Sequence, residues 1–328
     1  MNATRTMTAL ATILAMGATA ATAADFKMKI GISTPEGYSY NQGLMAFEKA
    51  VEEGSDGTIE VTVFPSSQLG GEAEMARNVQ LGTLEAAVVS TSNISPFHPE
   101  FSALSVPYMF KSIECAMHVT NGPVGEALKT ALQDKTRIET LGYYTFGYRQ
   151  LFNTKRPINS VADVAGLNIR IPPDKYLERT WTALGASPIP LPFSELFPAL
   201  QQGVVDGDAN PIASIQQFKW YEVVDNVAMT NVAVGMAVFV INGDFMDKLP
   251  EDLQALVRQA AADSVAVNIA ADAAATEAAM AFLTEQGVQF TTPDLAEFRT
   301  AAQPVLDAAA EEFGQDMIDA IGAAQDDC

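Results

Sequence analysis

Residues 251–286 read EDLQALVRQAAADSVAVNIAADAAATEAAMAFLTEQ. Pro250 precedes the run, where it suits the first turn of a helix, and Gly287 follows it as a stop. Twelve of residues 260–281 are alanine, the strongest helix former, so the run predicts one continuous helix. The alternative is two helices with an unseen break. Unbroken, the 36 residues span ~54 Å. A lobe of about 150 residues is only roughly 40 Å across. A helix that long must lie across two lobes, and a chain of 328 residues has the length for two.

Upstream, Phe26, Met28, Ile30 and Ile32 alternate with Lys27, Lys29 and Gly31, the period of a strand. Residues 37–53 place Leu44, Phe47, Ala50 and Val51 at helical spacing, and Gly54 and Gly57 stop them. A strand is expected at 58–64, a helix at 72–81 and a buried strand at 84–89. This β-α-β-α-β order argues a mostly parallel sheet with helices on both faces. A second α/β unit begins near Tyr148. It has a short helix at 161–165, strands at 167–171 and 187–191, and a helix at 174–184. A further helix at 194–202 is capped by Ser194, and an apolar strand closes the unit at 203–209.

Met1–Thr8 carries one cation, Arg5; residues 9–20 are small and apolar; Ala21-Thr22-Ala23 fits the small-x-small cleavage rule. Residues 1–23 therefore read as a secretory signal peptide, and the mature chain as a soluble periplasmic protein. No later segment is expected to be long and apolar enough to cross a bilayer. Removing the leader takes away Arg5 and moves the net charge from -21 to -22. A surface this acidic repels phosphate backbones and anionic lipid, which excludes a nucleic-acid partner. Two cysteines, Cys115 and Cys328, are too few for a disulfide scaffold. In an oxidising compartment they can pair, but sequence does not place them side by side.

Two passages carry a resemblance. Residues 149–172 read RQLFNTKRPINSVADVAGLNIRIP, and residues 183–211 read ALGASPIPLPFSELFPALQQGVVDGDANP. With FPSSQLG at 64–70, VPYMF at 106–110, FKWYEV at 218–223 and LPEDLQ at 249–254, they resemble the solute-binding proteins of TRAP transporters, the DctP family. The resemblance implies a two-lobe α/β periplasmic binding protein fold with hinge strands and a long helix spanning both lobes. The lobes would be 24–147, with 236–275 returning to it, and 148–235, with 276–328 packing on it. It further implies capture of a small organic acid anion between the lobes. Delivery would be to small and large permease subunits in the membrane, driven by an ion gradient.

Arg170 is the leading site residue. In Leu167–Ile171 the apolar residues share one face of a strand, Asn168 and Arg170 share the other, and Pro172 ends it. Ligands in open α/β sheets sit beyond the carboxyl ends of strands, and a guanidinium there can fork onto a carboxylate. A surface ion pair is the alternative from pattern alone; the resemblance assigns Arg170 to the ligand carboxylate. It likewise implies ligand contacts for Arg149, for Asn210, whose amide both donates and accepts, and for Phe193, packing on the ligand. At 206–211 this chain has Asp-Gly-Asp-Ala-Asn-Pro where the family usually has Asp-Gly-Gln-Glu-Asn-Pro, which departs from it at 208 and 209. By alignment, Ser33, Thr34, Ser90 and Asn93 of the first lobe face the cleft, and Phe146 narrows it. Sialic-acid-binding members carry charges in the loop that here reads Ser90-Thr91-Ser92-Asn93, so a compact organic acid with hydroxyl or apolar parts fits better.

Competing chemistry is weak. Asp206-x-Asp208-x-Asn210 begins like a calcium loop but continues with Pro211 and Gln217 where Gly and Glu are needed. Cys115-x-x-His118 has no second pair to complete a zinc site. With two histidines and no nucleophile elbow or phosphate loop, no base–nucleophile set is visible. The expectation is a binding protein with no catalytic residue, cofactor or metal and no membrane insertion. A ligand-sensing receptor or an ATP-driven importer's binding protein is the alternative.

Overall fold

The computed structural model describes residues 24–328, so the leader expected at 1–23 lies outside it. Eleven strands follow in chain order: β1 (Phe26–Ile32), β2 (Ile59–Phe64), β3 (Ala86–Ser90), β4 (Ile138–Tyr148), β5 (Gln150–Asn153), β6 (Asn168–Ile171), β7 (Ser187–Pro190), β8 (Gly207–Asn210), β9 (Asn226–Ala228), β10 (Val234–Asn242) and β11 (Gln289–Thr291). They form two sheets, ordered β2-β1-β3-β10-β4 and β11-β9-β5-β8-β6-β7, one in each lobe. The first sheet is mostly parallel, as expected, and each sheet carries one reversed strand. In the first, β1, β2 and β3 are parallel, while β10 runs antiparallel to both β3 and β4. In the second, β5 is antiparallel to β8 and β9. The cause is the chain path. β4 runs straight into β5, and β9 returns to β10, so each sheet contains strands shared with a crossing.

At the first crossing only Arg149 separates β4 from β5. Its N–H donates to the Ala233 carbonyl (2.9 Å) and its carbonyl accepts from the Val232 N–H (3.2 Å). The two crossings therefore run side by side, hydrogen-bonded across Arg149. Gly147 holds φ at +85°, a conformation that strains any side-chain-bearing residue.

The third crossing is one unbroken helix, Glu251–Glu285. It packs on helix Ser39–Gly54 and β4 in the first lobe and on helix Ile212–Gln217 in the second. Its buried face repeats at i, i+3 and i+4 through Val257, Ala260, Ala261, Ser264, Val265 and Asn268. Small residues let the helices approach: a Cβ on Gly43 would sit 3.1 Å from the Ser264 carbonyl oxygen. Polar links fix the register. Tyr144 Oη and Ser264 Oγ are 2.7 Å apart, and the Asn268 amide caps both backbone groups of Thr145, at 2.9 and 3.1 Å. An 18-residue window of this helix reaches mean hydropathy 1.3 and passes the length and composition test for a bilayer span. That corrects the expectation that nothing after the leader would. Alanine supplies the value, and Ser264 and Asn268 spend their polarity on the first lobe.

The chain end also departs from expectation. Helix Leu295–Phe313 packs on helix Lys175–Ala183 of the second lobe, but helix Gln315–Ala324 turns back onto Ile113–Asn121 and Pro123–Thr136 of the first. Residues 276–328 therefore do not pack as one unit on the second lobe. Cys115 and Cys328 are bonded, with Cα atoms 5.3 Å apart across 213 residues of sequence. That bond removes Cys115 as a metal ligand. Beside it, the Gln325 side chain accepts from the Lys111 N–H (2.7 Å) and donates to the Met109 carbonyl (3.1 Å). Tying so long a loop restricts the unfolded chain, by about 2–5 kcal/mol in the chain-entropy view. Cys115→Ser should therefore lower the denaturation midpoint of the oxidised protein and leave it insensitive to reductant, by urea titration. An unchanged midpoint would contradict a stabilising tether.

Candidate functional site

Strands β1 and β3 are parallel neighbours, so their carboxyl ends meet at one edge of the first sheet. Ser33 and Thr34 follow β1, Ser90 ends β3, and Asn93 lies in the short helix Thr91–Ile94 after it. Helix Glu72–Leu81 begins at the same edge, and its first residue ties the group together. Glu72 Oε1 accepts from Ser33 Oγ (2.6 Å). Its Oε2 accepts from Ser90 N–H (2.8 Å), Ser90 Oγ (2.7 Å) and Asn93 Nδ2 (2.8 Å).

The second lobe supplies cations. Pairing of β6 with β8 sets Arg170 opposite Asp208, and pairing of β5 with β8 sets Gln150 opposite Asn210. Arg170 donates from Nε to the Leu191 carbonyl (2.9 Å) and from one terminal nitrogen to Asp208 Oδ2 (3.2 Å). Arg149 donates from one terminal nitrogen to the Ala209 carbonyl (3.0 Å) and to Asn210 Oδ1 (3.5 Å). Each guanidinium keeps three N–H groups without a partner among the described residues, since the fork carries five. Both arginines are buried, 3% exposed for Arg170 and 7% for Arg149. Phe193 lies under the Arg170 guanidinium at 5.5 Å, and Phe146 under that of Arg149 at 4.9 Å. Both distances suit attraction to the ring face.

Asp208 is the counter-ion. Its oxygens accept from Arg170, from Asn210 Nδ2 (2.8 Å) and from the Ala209 N–H (2.6 Å). Burial pushes its carboxyl up, while Arg170 and Arg149 pull it down; three accepted N–H bonds are the pattern of the charged form. Burial pulls the Arg149 guanidinium down, Asp208 opposing and neighbouring Arg170 adding to the shift.

All nine residues singled out from sequence line one chamber: Ser33, Thr34, Ser90, Asn93, Phe146, Arg149, Arg170, Phe193 and Asn210. Sequence reading missed Glu72, Tyr38, Tyr40 and Pro172, which share the lining. Tyr38 Oη meets Ser214 Oγ of the second lobe at 2.9 Å and so bridges the two. The chamber is small, with about 40 Å³ open to the centre of a water molecule. It adjoins a cleft of about 430 Å³ that shares Ser33, Glu72, Asn93, Arg170 and Phe193. The loop before helix Leu196–Gln201 is a 3-10 turn, Phe193–Glu195, with no side-chain cap, so Ser194 does not cap it. The turn aims Phe193 at the chamber.

Residues 30–312 match the family described as bacterial extracellular solute-binding protein, family 7. The chain belongs to this family. It is a family of solute-binding receptors of TRAP transporters, not of enzymes. A solute-binding protein of Roseobacter denitrificans is 31% identical over 315 residues, 96% of each chain. Its structure, with bound L-galactonate, has TM-score 0.86 and covers 92% of this chain and 99% of that one. The TRAP periplasmic solute-binding protein of Polaromonas sp. JS666, bound to D-erythronate, is 33% identical with TM-score 0.88, covering 90% of this chain and 98% of that one. The C4-dicarboxylate-binding periplasmic protein DctP of Rhodobacter capsulatus is 31% identical over 305 residues, 91% of this chain and 90% of that one. The two-lobe fold with its long helix is common to this chain and the solved relatives.

A separate cavity of about 360 Å³ lies at the crossing, lined in part by Gly147, Gln150, Asn231 and Asp272. Asp272 comes from the long helix and is 4% exposed. A Cβ on Gly147 would lie 3.0 Å from its Oδ2, so glycine is needed there twice over. Burial pushes the Asp272 carboxyl up to about 7, the Ser39 hydroxyl acting the other way. The unfolded carboxyl titrates near ~3.9, so the folded form binds the extra proton between the two values. Folding stability therefore falls as pH rises from about 4 through about 7. Asp272→Asn should remove that slope and gain on the order of 2–4 kcal/mol above neutrality, read by urea unfolding at several pH values. An unaltered pH profile would show that Asp272 is ordinarily ionised.

Proposed function

We propose that the protein is an exported receptor that captures a small organic acid anion between its lobes and delivers it to TRAP permease subunits. Residues 1–23 act as the export signal, and the periplasm is the working compartment. The observation that carries this reading is the pair of buried guanidiniums, Arg170 and Arg149, with N–H groups left over on the chamber wall. A buried cation needs a partner, and Asp208 is in ion-pair contact with Arg170 but not with Arg149. A ligand carboxylate supplies the missing contact. The solved relatives bound to D-erythronate and L-galactonate each hold a carboxylate, which supports the same chemistry here.

Mechanism follows from the division of labour. The second lobe holds the anion through Arg170, Arg149 and Asn210, with its Phe193 and the first lobe's Phe146 as apolar walls. The first lobe closes over it with Ser33, Thr34, Ser90 and Asn93. Excluding water strengthens the ion pair, since the same charges attract more in a low dielectric. The three crossings, with Arg149 inside one of them, link capture to lobe position. The closed surface is what the membrane subunits recognise, and an ion gradient drives uptake.

Arg170→Ala should weaken binding of the organic acid by about 2–5 kcal/mol, roughly 30-fold to several-thousand-fold in Kd by calorimetry. Arg170→Lys should also bind poorly, because a point charge does not reproduce the fork. An unchanged Kd in both variants would remove Arg170 from the site.

A further inference from the structure

Resting on the reading above, we infer that Glu72 selects hydroxylated monocarboxylates and rejects dicarboxylates, by setting a carboxylate on the wall that faces the two arginines. The charges decide it. At the second-lobe wall, Arg170 is paired with Asp208, while Arg149 has no carboxylate in ion-pair contact among the described residues and both keep N–H groups unused. A single ligand carboxylate fits those donors. The charged side chain that the first lobe adds to the chamber lining is Glu72, and it lines the adjoining cleft as well. A second ligand carboxylate pointing away from the arginines would lie along a wall of like charge.

The hydrogen bonds agree with the charges. Glu72 Oε2 is filled by Ser90 N–H, Ser90 Oγ and Asn93 Nδ2, which fixes the carboxylate in place. Oε1 accepts from Ser33 Oγ alone and keeps a lone pair. Because Ser33 spends its hydroxyl hydrogen on Glu72, its oxygen is left as an acceptor, while Ser90 Oγ donates to Glu72 and accepts from Asn93 Nδ2 (2.8 Å). This floor is satisfied by groups that donate. A chain of hydroxyls donates; a carboxylate does not. One end of the ligand is thus read by donors and the rest by acceptors.

The test uses matched acids that differ at one terminal carbon: D-erythronate against meso-tartrate, and galactonate against galactarate. In each pair a terminal alcohol becomes a carboxylate and nothing else changes. Calorimetry on the wild-type protein should show the monocarboxylate of at least one pair binding about 100-fold tighter than its partner. In Glu72→Gln that acid should lose about 10- to 100-fold in affinity, since hydrogen bonds to a charged group are the stronger kind. The dicarboxylate should lose less or gain, so the ratio narrows. If Glu72→Gln merely disorders the floor, both members weaken together and the ratio holds, which overturns the inference. It is equally overturned if the wild-type protein favours the dicarboxylates or binds none of the four. Arg170→Ala is run in parallel with whichever acid binds. Its loss of binding upholds anion capture whatever Glu72 does, so the two readings fail separately.

Discussion

Two guanidiniums buried beside one carboxylate set the terms for the rest of the structure. Taking a charge out of water costs several kcal/mol per ion even after relaxation, and a missing partner leaves that cost standing. Asp208 meets half of the requirement. Its position follows from strand register, because β6 and β8 are parallel neighbours and Arg170 pairs with residue 208 across them. Arg149, the single residue joining β4 to β5, acts on the same carboxylate through its charge, while its N–H groups go to Ala209 and Asn210. The site is therefore built from backbone that also connects the lobes, and occupancy and lobe position share atoms.

The acidity of the whole chain does not oppose this. The charge of -22 on residues 24–328 is spread over the surface, where salt screens it within about 8 Å. Arg170 and Arg149 act inside a chamber walled by Phe146, Phe193 and Pro172, where screening is weak. The local field wins because distance and dielectric both favour it. Specificity then depends on the opposite wall, where Glu72 gathers four hydrogen bonds at the carboxyl ends of β1 and β3.

Much of this was legible in the sequence. Alanine content and the flanking Pro250 and Gly287 gave the 35-residue helix to within a residue, and the length argument gave two lobes. The strands with clean alternation were found where they are, from Phe26–Ile32 to Asn168–Ile171. Arg170 was accessible because a strand ended by Pro172 points its polar face at a predictable edge. The omissions have causes too. β4 and β10 are buried on both faces, so neither alternates: β10 is an apolar run, and β4 mixes Glu139, Thr140 and Thr145 with apolar residues out of period. Glu72 looked like an ordinary acid in the first turn of a helix, where the dipole favours one anyway. Its three partners come from positions 33, 90 and 93, and only the sheet brings them together. Asp208 stood out as a departure from family pattern, but its pairing with Arg170 needs the register of two strands. The Cys115–Cys328 bond joins sites 213 residues apart, a separation over which sequence carries no geometry.

The central claim is that a ligand carboxylate completes the Arg170–Arg149–Asp208 cluster. A high-resolution crystal structure of the protein grown with D-erythronate reads this directly. The account predicts carboxylate oxygens within hydrogen-bonding distance of both guanidiniums, with the hydroxyl-bearing carbons running toward Glu72. A carboxylate seated away from both arginines, or turned toward Glu72, would contradict it.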